Sequence, residues 1–144
     1  MLPLFVTIAG FVVGLGAVTV IDIHGFLGRK SSYWTEATIR THKVTKPLIW
    51  LGTVLVLGGS LLLFKTNTLT NTEFGHILGV LGVMILNGLF LSFVVSPFLL
   101  GREKEGRESE LLPTKLQVQI TISFLVSFTS WWGLLLYILY IVSK

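Results

Sequence analysis

Charge is absent from four long stretches of this chain, and that constrains the fold more than any other feature. Leu2 to Ile21 carries no charged residue, and neither do Pro47 to Phe64, Ile77 to Leu100 and Leu116 to Ser143. About 20 apolar residues in a helix cover the roughly 30 Å hydrocarbon layer of a bilayer, so each stretch spans once. Helices are the form these spans take. Lipid leaves no partner for an open backbone, and no ten-residue alternating pattern suggests a barrel. The sequence therefore predicts an all-α, polytopic membrane protein: one four-helix transmembrane domain over residues 1–144.

Composition excludes the alternatives. Hydrophobic residues make up 52% and charged residues 12%, against roughly 25% charged in a soluble chain. So few charges cannot cover a water-facing surface, and so much apolar content is incompatible with disorder. There are 0 cysteines, which removes disulfides, thiolate metal sites and cysteine nucleophiles together. The first block does not read as a cleavable signal, because no basic residue precedes it and its first cation, Arg29, follows it.

Basic residues set the expected direction. Arg29, Lys30, Arg40, Lys43 and Lys46 lie between the first two spans, and Arg102, Lys104, Arg107 and Lys115 between the last two. The other side has Lys65 and Lys144 alone. Basic loops stay in the cytoplasm, so both termini are expected outside. The formal charge of +4 then reflects topology, and nucleic acid is not an expected partner. In the first loop, TEATIRTHKVTK predicts a short interfacial helix capped by Thr35, with Pro47 at its junction with the second span. The second loop, GREKEGRESELLP, reads as a solvated connector.

Polar residues inside the spans are the candidate site. At 1.5 Å per residue, Asp22 falls about 15 Å to the cytoplasmic side of its span's midpoint, close to the level of Lys46. An Asp22–Lys46 or Asp22–Arg29 ion pair is one expectation, and a proton or cation acceptor at the cytoplasmic mouth is the other. Gln119, Ser123, Ser127 and Ser130 fall within one arc of the fourth span. Asn87, near the middle of the third, is expected at the level of Ser127 and Ser130. These residues are read either as interhelical glue or as a polar half-path. Trp131 and Trp132 end the stripe, too deep for an interfacial belt, and are expected to pack in the bundle or plug the path.

His24 and His42 share the cytoplasmic side and are the candidate metal or haem ligands, with Asp22 or Glu36 as oxygen donors. His76 lies at the opposite end, beyond reach of a shared ion. No cofactor is required by the sequence. Small residues form two faces suited to close packing, Gly10–Gly14–Ala17 and Gly75–Gly79–Gly82. Their levels differ, so they are not expected to pack on each other, and one of them is a candidate homo-oligomer interface.

The strings GLGAVTVID, PLIWLG, ILNGLFLSFVVSPFL and SFTSWW, one from each span, resemble a group of small, uncharacterised bacterial four-helix membrane proteins. That group is distantly similar to the copper-resistance D type. The resemblance implies a four-helix fold in the bacterial inner membrane and no particular activity. Where the group has a histidine early in the first span, this chain has LFVTIAGF with Thr7. Three functions fit the sequence: a small permeation or carrier protein for an ion or solute, a haem- or metal-binding redox protein, and a non-catalytic assembly subunit. An enzyme is not expected, because the chain has no phosphate-cradling loop, no paired intramembrane carboxylates and no Ser–His–Asp set at one level.

Overall fold

The computed structural model describes all 144 residues. Its regular structure is all helical, with α1 at Leu2–Leu27, α2 at Ser32–Lys65, α3 at Asn71–Phe90, a π-helical turn at Leu91–Val95, α4 at Ser96–Lys104 and α5 at Thr114–Val142. The segment Asn71–Lys104 forms one rod, giving four rods long and apolar enough to cross a membrane. The chain is a multi-pass membrane protein built as a four-helix bundle.

The caps explain where the rods begin. Ser31 accepts from the Trp34 N–H at the start of α2, and Thr70 and Glu73 close a reciprocal capping box at the start of α3. The helical turns expected from Thr35 are present, but they start at Ser32 and run without a break into the second span. Thr35 is buried inside the helix, donating its hydroxyl to Gly28 O at 2.8 Å. Pro47 lies within α2 rather than at a junction. A proline interrupts one rung of a helix, but its exposed ring leaves the packed face of the rod intact.

The tightest pairing is α1 on α2, and glycine makes it possible. A Cβ on Gly52 would collide with the Gly14 backbone, and one on Gly59 with Thr7. Gly10 packs on Val56 and Gly14 on Trp131. The Gly10–Gly14–Ala17 face is thus consumed within the chain. The Gly75, Gly79 and Gly82 positions on α3 have nothing within 4 Å, so that face is the open one.

Two apolar cores stack along the bundle. The larger, toward the chain termini, gathers Phe11, Val56, Leu81, Trp131, Leu134 and Ile138 among others. The smaller, toward the two long connections, holds Ile39, Val95, Leu99 and Leu116. At about 1.5 Å per residue the 34-residue α2 is longer than the hydrocarbon is thick. Its early turns therefore extend beyond the membrane beside α4, where Lys43 and Glu103 pair at 2.8 Å. Arg102, 7% exposed, ties the connector down by donating to Leu111 O at 3.2 Å and Glu110 Oε2 at 3.1 Å. The second loop is thus anchored at its root and is not a free linker.

Candidate functional site

All four rods contribute to a partly open cavity of about 80 Å³ beside the smaller core. Asp22 comes from the last turns of α1, and Thr38, His42, Lys46 and Trp50 from successive turns of α2. Ser92 comes from the π-helical turn, and Ser123 and Phe124 from α5. A second cavity of about 40 Å³ lies deeper and is bordered by Thr53, Asn87, Ser127 and Trp131. Asp22, Trp50 and Gly88 belong to both walls, so the two form one stepped chamber in the connection-side half. It ends at Trp131, which is 2% exposed and packs edge-on against Phe11 with centroids 6.0 Å apart. Beyond it lies the larger apolar core.

Asp22 is the chemical centre of the chamber. Its Oδ2 is buried and has no hydrogen-bond partner. Neither ion pair expected for it forms, because the protein's salt bridges all lie among other residues. Arg29 turns outward, donating to Thr121 Oγ1 at 3.3 Å and lying 4.6 Å over the Phe26 ring. Lys46 turns to α3, donating to Ser92 O at 3.4 Å.

Helix geometry explains the behaviour of Lys46. In the π-helical turn the Ser96 N–H reaches back to Leu91 O. The next amide in that register would serve Ser92 O, but residue 97 is proline and has no N–H. The orphaned carbonyl takes the Lys46 ammonium, while the Ser92 hydroxyl accepts from Trp50 Nε1 at 3.2 Å.

The polar stripe of α5 is only partly used. Ser123 and Ser127 are buried and border the chamber. Gln119 lies a turn nearer the connections and Ser130 beside Trp131; both are half-buried and border neither cavity. Asn87 pairs with Ser123, one turn from the level expected. Its Nδ2 donates to Ser123 O at 3.1 Å and its Oδ1 accepts from the Ser123 hydroxyl at 2.6 Å. The depth estimate used the midpoint of an apolar block, whereas the rod containing Asn87 extends from Asn71 to Lys104 and rods tilt. Of the two tryptophans, Trp131 is the buried one and Trp132 is 40% exposed.

The histidines separate. His42 borders the chamber with Asp22, and its Nε2 is buried without a partner. His24 lies outside it, with Nδ1 3.2 Å from Thr41 Oγ1 and its ring 5.2 Å from Trp34. Asp22 and His42 are the two side chains there able to ligate a metal, and no group of three or more His, Cys, Asp or Glu converges anywhere in the protein. His76 pairs with the Tyr137 hydroxyl at 3.0 Å at the far end of the bundle. Trp50, Lys46 and Ser92 were missed as chamber residues. The signal available for them was a proline five residues after a serine in an apolar span. No family model, curated protein or solved structure matches the chain.

Proposed function

We propose that the protein is a small carrier that admits a polar solute or ion from the cytoplasmic side of the bacterial inner membrane. Both termini then lie outside and both basic connections inside, following the distribution of Lys and Arg. The observation that carries this reading is the unpartnered Asp22 carboxylate in a stepped chamber to which every rod contributes. An ionisable group buried without a partner at the mouth of a span is costly to keep, and such groups mark solute or proton pathways. A purely structural bundle has polar groups that satisfy one another, as Asn87 and Ser123 do. Asp22 is not satisfied in that way. Trp131 closes the chamber, so passage requires that plug to shift against Phe11 and Gly14, as alternating access demands.

Flux into proteoliposomes tests the proposal. With a panel of radiolabelled rubidium, methylammonium, acetate and glycine, at least one label enters faster than in empty liposomes. Ser127→Leu, which fills the deeper cavity, abolishes that entry. Rates equal to those of empty liposomes for every label would overturn the carrier reading.

A further inference from the structure

The chamber holds an acid and a base that do not meet. Asp22 has a buried oxygen with no partner, and no ion pair joins it to Lys46 on the same wall. Lys46 has three donors and one partner, the Ser92 carbonyl that Pro97 leaves free, at a long 3.4 Å. Each is left under-partnered. A lone cation would satisfy Asp22 and add a net charge to a site beside Lys46; a lone anion would do the converse. Both outcomes carry the penalty for uncompensated charge out of water. A solute bearing both charges satisfies both groups and leaves the total unchanged.

Resting on the carrier reading above, we infer that the chamber's ligand is a small zwitterion, an amino acid of about glycine or alanine size. Its ammonium sits on Asp22 and its carboxylate on Lys46. Size supports the same class. A water needs about 10–15 Å³ of such volume, so the larger cavity of the chamber, about 80 Å³, takes roughly five to eight water-sized groups, enough for the non-hydrogen atoms of glycine or alanine. Ile49, Trp50, Leu91 and Phe124 give the same cavity apolar and aromatic surface, beside the polar Thr38, His42, Ser92 and Ser123.

Equilibrium binding of radiolabelled glycine to the protein in lipid nanodiscs tests this independently of transport. Saturable binding is expected, and unlabelled methylammonium and acetate each compete at least about tenfold more weakly than glycine, since each leaves one of the two groups without its partner. Removing one charge should change the preference in a defined direction. Lys46→Met lets methylammonium rival glycine, and Asp22→Asn lets acetate rival it. Absence of saturable glycine binding, or competition by either single-charge analogue as strong as by glycine in the unmodified protein, would overturn the inference. Methylammonium entry in the flux assay without glycine binding would refute the zwitterion and leave the carrier standing.

Discussion

Two polar residues of this bundle behave in opposite ways, and the difference lies in what surrounds them. Asn87 is satisfied by Ser123 across the α3–α5 contact through two reciprocal hydrogen bonds. Such bonds in a bilayer are worth roughly 0.6–2 kcal/mol. A double-mutant cycle of Asn87→Leu with Ser123→Ala should return a coupling energy of about that size, read from unfolding in mixed micelles. A coupling near zero would make the pair incidental. Outside the membrane, Glu110 offers a pH test. Its hydrogen bond from Arg107, helped by the charges of Arg107 and Arg102, holds its carboxyl below the usual range. A carboxyl whose native value is depressed contributes to stability above its unfolded value, and the contribution disappears as pH falls through the native one. Amide protection in the 105–113 connector should therefore be present at neutral pH and lost on acidification below the ordinary carboxylate range. Glu110→Gln should lack that protection at every pH. An unchanged exchange profile in the variant would contradict the assignment.

At the scale of the helix, glycine placement decides which contacts are obligatory. Gly52→Ala inserts a methyl group into the Gly14 backbone, and overpacking of this kind costs about 1–3 kcal/mol. Gly79→Ala faces open space and should leave stability unchanged or raise it by up to about 1 kcal/mol through helix propensity. Thermal unfolding of the two variants in the same detergent checks the contrast, and equal effects would mean that α1 and α2 do not pack through Gly52. The existence of the four rods was legible from charge-free blocks, because lipid imposes one length and one hydrogen-bonding solution on each. The start of α2 was not, since Ser31 and Thr35 are both good caps and only the tertiary contact of Thr35 with Gly28 O selects between them. Gly10, Gly14 and Ala17 were readable as a packing face, but their partner was not. Spacing identifies a surface that admits close approach and carries no information about which helix approaches.

Across the whole molecule, the bundle is asymmetric from end to end. The termini side is an apolar core, and the connection side is split by a chamber between that core and a smaller one. The sequence exposed part of this asymmetry, since Asp22, His42 and Ser123 were visible as polar residues at one end. It concealed the rest, because equal depth and opposite charge make Lys46 a natural counterion for Asp22. Lys46 instead donates to Ser92 O, the carbonyl to which Pro97 offers no N–H in the π-helical register, a backbone effect with no signature in depth or charge. The absence of cysteine makes accessibility measurable with single introduced thiols. In sealed vesicles of known orientation, Thr38→Cys on the chamber wall should react with a membrane-impermeant maleimide from the side bearing the basic connections. Ile138→Cys in the larger core should react from neither side. Labelling of Thr38→Cys from the termini side, or from neither side, would contradict a chamber open toward the connections.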